Sequence, residues 1–365
     1  MTQVAAAVFR QPKQPLEIES VTVDEPGDRE VLVRTVASGV CHSDLHVADG
    51  SLYVGRRAVV LGHEGAGVVE AVGRSVRAVS VGDHVVGCLS GFCGSCEQCL
   101  SGHPNVCVGE ATARPRGEAP RLSRDGEPLV PFAGIGSFAE RMLVHENSVV
   151  GVDPDLPLEV AALVGCGVLT GVGAALRTAR VEAGQSVAVF GCGGVGLSII
   201  QGARIAGASR IIAVDQFDAK LDMARAVGAT HVVNSSAEDA VEAVRGLTGG
   251  AGVDHALEAV GHPGLVRQAA ESLAVRGTCT IVGVPPDGTV FEVPYSAIRP
   301  ECRVQTSRMG SNRFRIDIPR YLDLYRQGRL LLDEMVTRRA RLEDVNDAFR
   351  AMTAGEVART VVLFD

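Results

Sequence analysis

Four cysteines lie close together in the stretch CGSCEQCLSGHPNVC at residues 93–107. Their spacing, C-x2-C-x2-C-x7-C, is tight enough for four thiolates to surround one tetrahedral ion. Because four sulfur ligands leave no open position, such an ion would be structural. An iron–sulfur cluster and neighbouring disulfides are the alternatives, but neither redox motifs nor an oxidising compartment is indicated. The spacing therefore favours zinc bound by Cys93, Cys96, Cys99 and Cys107.

A glycine-rich turn, GCGGVG at 191–196, follows a predicted strand and opens a predicted helix. Gly191, Gly193 and Gly196 occupy the three fingerprint positions, which allow a tight turn and bring a pyrophosphate to the helix N-terminus. Asp215 ends the next predicted strand, where a carboxylate accepts hydrogen bonds from ribose hydroxyls. Because this carboxylate would repel the additional phosphate of NADP, the pattern predicts NAD.

A third set of residues is typical of a metal site with a vacancy. Cys41 lies in GVCHSDLH, His63 in GHEGAGVVEAVG and Cys166 in GCGVLTG. Two thiolates and one imidazole leave a fourth position for water or an alcohol, as in catalytic zinc sites. Taken singly, a buried cysteine and a hydrogen-bonded histidine are ordinary core residues. Spacing alone does not join these three side chains.

Strands and helices alternate around the glycine-rich turn. Short β-branched runs predict strands, and apolar residues at helical spacing predict helices between them. The predicted strands are 187–191, 211–215, 230–234, 253–261 and 278–284. The predicted helices are 197–208, 218–228, 237–249 and 262–274. This alternation is typical of a doubly wound parallel sheet of the α/β class.

The segments on either side differ in character. Residues before 150 are rich in valine with repeated glycine turns, which predicts short strands joined by tight turns. After residue 308, predicted helices at 316–328 and 342–355 precede a closing strand at 358–365. A chain of 365 residues is long enough for two domains that each bury a core.

The composition excludes several classes of protein. Hydrophobic residues make up 46% and charged residues 21% of the chain, as in ordinary globular proteins. A net charge of −8 with scattered basic residues argues against nucleic-acid binding. The apolar stretch 158–177 contains several glycines and Glu159, so it is a poor membrane span. The N-terminus has no export signal, which predicts a cytoplasmic protein with reduced or metal-bound cysteines.

Five motifs occur in one order along the chain: CHSDLH, GHEGAGVVEAVG, the four-cysteine loop, GCGVLTG and GCGGVG. This order resembles that of the zinc-dependent medium-chain alcohol dehydrogenases, and the similarity runs from residue 5 to the C-terminus. The segment 108–136 is long, as in the liver-type and class III branch. The resemblance implies a GroES-like, mainly β catalytic domain at 1–167 and 309–365, and a Rossmann NAD-binding domain at 168–308.

The resemblance also implies how the third set of residues acts. It places one catalytic zinc on Cys41, His63 and Cys166, beside the structural zinc of the cysteine loop. Glu64 would lie next to the catalytic zinc as an alternate ligand. Asp44 would bind the free ring nitrogen of His63, because such a carboxylate fixes the tautomer and raises the basicity of the imidazole.

Proton and coenzyme contacts follow from the same resemblance. Ser43 would take the proton of the alcohol and pass it through the ribose to His46, whose imidazole titrates near neutrality. The implied coenzyme contacts are His42 and Arg359 on the pyrophosphate, Asp215 and Lys220 on the adenosine ribose, Thr170, Val195 and Val284 around the nicotinamide, and Gly191, Gly193, Gly194 and Gly196 in the turn.

The implied function is oxidation of an alcohol to an aldehyde with hydride transfer to NAD. Leu89, Phe132 and Val284 would line the alcohol pocket, and Leu89 and Ala133 replace bulky residues of some relatives, which predicts bulky, aromatic or allylic primary alcohols. The alternative is a thiol-dependent formaldehyde dehydrogenase, whose class III members carry an arginine for the glutathione carboxylate. Ala111 stands at that position and disfavours the alternative.

Two further predictions concern assembly and class. The long 108–136 segment resembles that of dimeric relatives, which favours a homodimer over a homotetramer. A non-catalytic module, in which the cysteine loop recognises a partner and the Rossmann domain senses NAD, is the rival from another class. The acidic net charge and the complete second metal site argue against it.

Overall fold

Short strands are the commonest regular elements of the first 150 residues, as predicted. A computed structural model of the chain describes residues 1–110, 112–115 and 117–365, so Ala111 lies outside the described residues. The strands are β1 Thr2–Phe9, β2 Glu17–Val23, β3 Glu30–Gly39, β4 Val59–Val60, β5 Glu64–Val72, β6 His84–Gly87, β7 Leu122–Arg124, β8 Glu127–Pro131, β9 Arg141–His145 and β10 Val149–Val152. The helices among them are α1 His42–Asp49 and α2 Glu97–Leu100.

Helices and strands alternate after residue 158. The helices are α3 Leu158–Leu163, α4 Leu169–Gly173, α5 Gly194–Ala206, α6 Asp218–Val227, α7 Ala240–Leu247, α8 Pro263–Glu271, α9 Phe314–Arg326 and α10 Val345–Thr353. The strands are β11 Ser186–Phe190, β12 Arg210–Asp215, β13 His231–Asn234, β14 Val253–Glu258, β15 Leu273–Ile281, β16 Arg303–Thr306, β17 Val336–Ala340 and β18 Arg359–Leu363. Short 3-10 turns lie at Pro104–Val106, Phe132–Gly134, Glu146–Ser148, Tyr295–Ala297, Met309–Ser311, Asp333–Met335 and Leu342–Asp344.

Strands β11 to β16 form one parallel sheet within the described chain, in the order β13-β12-β11-β14-β15-β16. The central strands β11 and β14 are buried along most of their length, so they appear in the sequence as apolar runs without strict alternation. The strand order reverses at β11, and ligands of α/β sheets bind beyond the carboxyl end at such a point. The predicted doubly wound α/β sheet is confirmed.

The other strands form a barrel and a mixed sheet. The barrel closes in the order β1-β2-β7-β8-β4. The mixed sheet has the order β10-β6-β5-β3-β18-β17, and β9 also pairs with β3. Phe138, with no exposed surface, lies in the apolar core beside these strands, and burying such a side chain contributes about 1.5–3 kcal/mol. The C-terminal strand β18 thus completes a sheet that the first 150 residues begin.

Contacts divide the chain into two compact units. One comprises Met1–Cys166, Arg313–Asp323 and Val336–Asp365. The other comprises Gly167–Asn312 and Leu324–Met335. The first unit therefore holds the barrel and the mixed sheet, and the second holds the parallel sheet.

The apolar stretch that sequence analysis rejected as a membrane span is a continuous helical run, Leu158–Ala179. It is long and apolar enough to cross a membrane, but 94% of its most apolar window is buried inside the protein, as in the core helix of a soluble enzyme. Two π-helical turns interrupt it, Val164–Val168 and Ala174–Ala179. Such turns often occur at functional sites, and the first of them contains Cys166.

Candidate active site

Asp44, in the first turn of α1, sets the local geometry around Cys41. Its wholly buried carboxylate accepts hydrogen bonds from the backbone N–H of Cys41, at 3.3 Å, and of Gly62, at 2.9 Å. Because Gly62 precedes His63, one carboxylate ties the start of α1 to the loop that leads into β5. Two candidate ligands that are distant in the sequence are thereby brought side by side.

Cys41, His63, Glu64 and Cys166 form a buried cluster of potential metal ligands. One ligand atom from each residue lies within 4.8 Å of the others. His63 Nδ1 lies 3.1 Å from Asp44 Oδ1, whereas its buried Nε2 has no hydrogen-bond partner among the described residues. Metal-binding imidazoles are held in this way, with a carboxylate on one nitrogen and the other nitrogen facing the ion. The cluster fits a zinc ion bound by two thiolates and an imidazole.

The titration of these side chains is consistent with a cation site. The hydrogen bond between the Cys166 and Cys41 thiols lowers the pKa of Cys41 well below its ordinary value and raises that of Cys166 well above it. Burial disfavours a charged His63, but the charges of Asp44 and Cys41 outweigh it and raise the pKa of His63 to about 10. The thiols and the imidazole of the cluster therefore share bound protons. A divalent ion displaces such protons when thiolates and a neutral imidazole bind it.

Glu64 faces Arg359 inside the first unit. Its carboxylate Oε2 forms a buried ion pair with Arg359 Nη2. A Cβ atom at Gly39 would lie 2.1 Å from the same oxygen, so only glycine leaves room for this carboxylate. The resemblance implied that Arg359 contacts the coenzyme pyrophosphate, and that contact stays a prediction. In the structure the side chain of Arg359 is 6% exposed and compensates the charge of Glu64.

Replacing Asp44 with asparagine is expected to lower zinc affinity at the cluster, or kcat, by about 10- to 100-fold. The amide keeps an acceptor oxygen but removes the negative charge that orients and polarises His63. Zinc affinity is measured by competition with a chelator, and kcat at saturating NAD. Asp49→Asn is the matched control, because Asp49 lies at the other end of α1 and, among the described residues, accepts only from Ser51 N–H, at 2.7 Å. Equal effects of the two variants would contradict the assigned role.

The four-cysteine loop forms a second cluster in the first unit. The Sγ atoms of Cys93 and Cys99 are 3.9 Å apart, and those of Cys96 and Cys107 are 3.8 Å apart. Sulfurs bound at about 2.3 Å to one tetrahedral ion lie about 3.8 Å apart, whereas a disulfide needs about 2.05 Å. Backbone and hydroxyl donors of Ser95, with the N–H of Cys96, lower the pKa of Cys93 to about 6. The cluster fits a structural zinc.

The glycine-rich turn connects β11 to α5 with the geometry that a coenzyme requires. Gly191 has a φ of 92°, a left-handed conformation that favours glycine. A Cβ atom at Gly196 would lie 1.8 Å from the carbonyl oxygen of Gly191, so the turn is closed too tightly for any side chain there. Asp215 Oδ2 accepts the backbone N–H of Cys192 at 2.8 Å. The carboxylate is therefore held beside the turn, where the helix N-terminus favours an anion.

The other residues predicted around the coenzyme in the second unit differ in exposure. Thr170, on α4, is 6% exposed, and its hydroxyl contacts Met309 Sδ at 3.4 Å. Lys220 Nζ lies 4.9 Å from the ring centroid of Phe217, near the surface. Val284 is 46% exposed. The contacts of these residues with the ribose and the nicotinamide therefore stay predictions.

The predicted proton relay is only partly assembled. His42 and His46 lie one turn apart on α1, with ring centroids 6.3 Å apart. Ser43 lies between them in the sequence and is half-buried. Among the described residues no hydrogen bond joins Ser43 to His46, and the relay through a bound ribose that the resemblance implied stays a prediction.

Phe132, of the predicted alcohol pocket, lies against the metal cluster. Its ring stands edge-on to that of His63, with centroids 5.4 Å apart and an interplanar angle of 82°. Ala133, the next residue, is exposed and has a φ of 53°. Leu89 follows β6 by two positions and is half-buried. Phe132 therefore lies beside a candidate zinc ligand, and the alcohol pocket itself stays a prediction.

Comparison with known proteins agrees with both the fold and the site. Residues 27–154 match the alcohol dehydrogenase GroES-like domain, and residues 194–327 match the zinc-binding dehydrogenase domain. An S-(hydroxymethyl)glutathione dehydrogenase of Haemophilus influenzae is 39% identical over 98% of this chain and 96% of its own length. The crystal structure of an alcohol dehydrogenase zinc-binding domain protein from Burkholderia ambifaria is 39% identical, covers 100% of this chain and 99% of its own, and has a TM-score of 0.93. That of benzyl alcohol dehydrogenase from Acinetobacter calcoaceticus is 34% identical over 100% of both chains, with a TM-score of 0.92.

The chain therefore belongs to the zinc-dependent medium-chain alcohol dehydrogenase family. It is an NAD-dependent oxidoreductase that acts on a small-molecule alcohol or aldehyde. The two cysteine-containing clusters account for two zinc ions per chain, one catalytic and one structural.

Proposed function

We propose that the chain oxidises bulky primary alcohols, aromatic or allylic, to aldehydes with hydride transfer to NAD. The observation that carries the reaction class is the buried cluster of Cys41, His63 and Cys166, with an imidazole nitrogen that has no partner among the described residues. Three protein ligands leave a position for substrate, which distinguishes this cluster from the four-cysteine loop. Glu64 is the additional ligand that can approach the ion during exchange.

The residues of the chain have distinct roles in this reaction. Cys41, His63 and Cys166 would hold a zinc ion that supplies Lewis acidity toward an alcohol hydroxyl, and the glycine-rich turn would hold NAD as the hydride acceptor. Asp44 holds His63 in the tautomer that presents Nε2. Ser43 Oγ accepts the proton of the alcohol, and the His46 imidazole releases it to solvent.

The predicted pocket of Leu89, Phe132 and Val284 sets the proposed substrate preference. Phe132 presents an aromatic ring beside His63. Ala133 contributes only a methyl group, so its position does not narrow the pocket. Apolar and aromatic walls with few polar groups suit an alkyl or aromatic alcohol. The benzyl alcohol dehydrogenase of Acinetobacter calcoaceticus, with which the chain shares its fold, supports this preference.

A thiol-adduct formaldehyde dehydrogenase is the second candidate, favoured by the name of the Haemophilus influenzae relative. It requires a cation for the glutathione carboxylate, and position 111 is alanine. Two arginines of the same segment, Arg114 and Arg121, are not substitutes, because both form ion pairs with the buried carboxylate of Glu30, at 2.6 and 2.7 Å. Glu30 and Asp24, which also pairs with Arg114 at 2.6 Å, compensate both charges. This favours the aromatic alcohol as far as the described residues go; Arg116, of the same segment, lies outside them.

The two candidates are separated by NADH formation with benzyl alcohol, ethanol, and formaldehyde with and without glutathione. The proposal predicts a higher kcat/KM for benzyl alcohol than for ethanol, because a larger apolar surface is removed from water. It also predicts that glutathione does not accelerate formaldehyde oxidation above the rate with benzyl alcohol. Formaldehyde oxidation that depends on glutathione and exceeds every alcohol would establish the second candidate. Faster turnover of ethanol would contradict the pocket assignment.

The assembly, location and domain boundaries are proposed with this function. We place the catalytic domain at 1–167 and 309–365, the coenzyme domain at 168–308, and the enzyme in the cytoplasm as a homodimer.

The edge strand β16 supports the dimer, because within the described chain it pairs only with β15 and exposes 49% of Val304. An unpaired edge is a template for symmetric pairing with a second copy. A solution mass near four chains would contradict the dimer.

A further inference from the structure

Glu258, the last residue of β14, is a buried carboxylate that the metal and coenzyme assignments leave unexplained. It has no exposed surface, and within the described chain its carboxylate contacts no cationic side chain. Burying a carboxylate without a cation is costly, and burial raises the pKa of Glu258 above its ordinary value despite the hydrogen bonds it accepts. The hydrogen bonds that such a buried carboxylate accepts therefore indicate that it holds a neighbouring segment of backbone in place.

The carboxylate fixes the loop that follows β14. Its Oε1 accepts the backbone N–H of Val260 at 2.9 Å, of Gly261 at 2.8 Å and of His262 at 3.3 Å, and its Oε2 accepts Gly261 again at 3.0 Å. Three successive N–H groups are thereby turned inward onto one side chain. An acceptor-only group with four lone-pair positions suits this task, whereas an amide would present two donors to the same N–H groups.

This loop lies against the glycine-rich turn of the same unit. The N–H of Ala259 donates to the carbonyl of Phe190 at 2.9 Å, immediately before the turn begins. The side chain of Val260 occupies the space where a Cβ atom of Gly191 would be, at 2.4 Å. The loop therefore fixes the first glycine of the turn from outside.

The loop also abuts the end of β15. Gly261 has a φ of 87°, and a Cβ atom on it would lie 2.6 Å from the carbonyl carbon of Val284. The backbone carbonyl of Glu258 accepts the N–H of Val282 at 2.8 Å and of Gly283 at 3.0 Å. Through its side chain and its backbone, Glu258 thus ties together the carboxyl ends of three neighbouring strands, β11, β14 and β15.

We propose that Glu258 is a positioning residue for NAD, which shapes the coenzyme platform at the carboxyl ends of β11, β14 and β15 without touching the coenzyme. Its role is to hold Val260 against Gly191 and Gly261 against Val284. The inference rests on the NAD dependence in the proposed function and adds a residue to that site. It predicts that the carboxylate affects coenzyme affinity and not the chemical step, because the hydrogen bonds of its side chain go to the loop that follows β14.

The test compares Glu258→Gln and Glu258→Asp with Asp254→Asn. Asp254 is the matched control, because it lies on the same strand near the opposite end, where its carboxylate accepts the N–H and hydroxyl of Ser186 at 2.8 and 2.7 Å. Binding of NADH is measured by its own fluorescence, which is convenient because the chain has no tryptophan. Zinc content and the thermal midpoint are recorded for each variant.

Glu258→Gln is expected to raise the Kd for NADH and the KM for NAD about tenfold, since the amide nitrogen at the Oε2 position would be a donor facing the N–H of Gly261 and cannot accept from it. Glu258→Asp, which keeps the charge, should give a smaller increase. Both should retain two zinc ions and, at saturating NAD, the wild-type kcat, while Asp254→Asn lowers only the thermal midpoint.

Three outcomes would overturn the proposal. One is a wild-type Kd in a folded Glu258→Gln protein, and another is an equal increase in Kd for Asp254→Asn. The third is a fall in kcat at saturating NAD without a change in Kd. Should Glu258→Gln not fold, a wild-type Kd for Glu258→Asp would overturn it equally. NADH binding is measured without an alcohol, so an error in the proposed substrate would not affect this result.

Discussion

Replacing Cys41 with alanine is expected to lower kcat about 10³-fold or more, because Lewis-acid stabilisation by a metal contributes several kcal/mol. Cys41 supplies one of the two thiolates of the catalytic cluster. Without it His63 and Cys166 are the two remaining ligands of the three-ligand site, because the carboxylate of Glu64 is held in its ion pair with Arg359. The zinc content should fall from two ions per chain to one. The Kd for NADH should stay within about twofold of wild type, since effects of independent sites are additive to about 0.5 kcal/mol.

The matched control for this variant is Cys88→Ala. Cys88 is a buried cysteine of the same unit that lies outside both clusters, and burial raises its pKa to about 12, so it stays a neutral thiol. Its removal should leave both zinc ions and most of the activity in place. Retained turnover in Cys41→Ala, or loss of NADH binding together with activity, would refute the assignment of Cys41 as a catalytic ligand.

Replacing Cys99 with alanine is expected to remove the structural zinc and to destabilise the first unit. Cys99 supplies one corner of the sulfur tetrahedron, and three remaining thiolates close around an ion much less effectively. Loss of a structural metal is among the large single-residue effects, about 3 kcal/mol or more. At about 2–4 °C per kcal/mol for a unit of this size, the thermal midpoint should fall by about 6–12 °C.

The outcome of Cys99→Ala is read from zinc content and calorimetry, with Cys302→Ala as the control. Cys302 is half-buried and outside both clusters, and its thiol donates to the carbonyl of Ala274 at 3.1 Å. Cys99→Ala should retain far more activity per folded chain than Cys41→Ala, because its ion takes no part in the reaction. Two zinc ions per chain with an unchanged midpoint would show that the four cysteines do not bind a structural ion.

The parallel sheet was predictable because its signals are local. Strands β11 and β12 are buried on both faces, so each appears in the sequence as a short β-branched run. The glycines between them are needed because a Cβ atom at Gly196 would clash with the backbone of the tight turn. Helix α1 was not predicted. Its sequence, HSDLHVAD, has no apolar stripe of helical period, and Asp44 holds its first turn through a contact with Gly62 that lies outside the helix.

The catalytic cluster was predictable only through the resemblance, because its geometry depends on contacts between distant segments. Cys41 precedes a helix, His63 precedes a strand, and Cys166 lies in a π-helical turn, so no single spacing joins them. The pairing of Glu64 with Arg359 spans 295 positions and depends on the absence of a side chain at Gly39. Such contacts form when β18 pairs with β3, and no local sequence pattern predicts that pairing.

The measurement that tests the central claim most directly is the initial rate of NADH formation from NAD and benzyl alcohol, on protein assayed for two zinc ions per chain. The assignment predicts NADH and benzaldehyde in equal amounts, loss of the rate when a chelator removes the catalytic ion, and recovery when zinc is restored. The contradictory result is a fully zinc-loaded protein that binds NADH yet forms none from benzyl alcohol or any other primary alcohol.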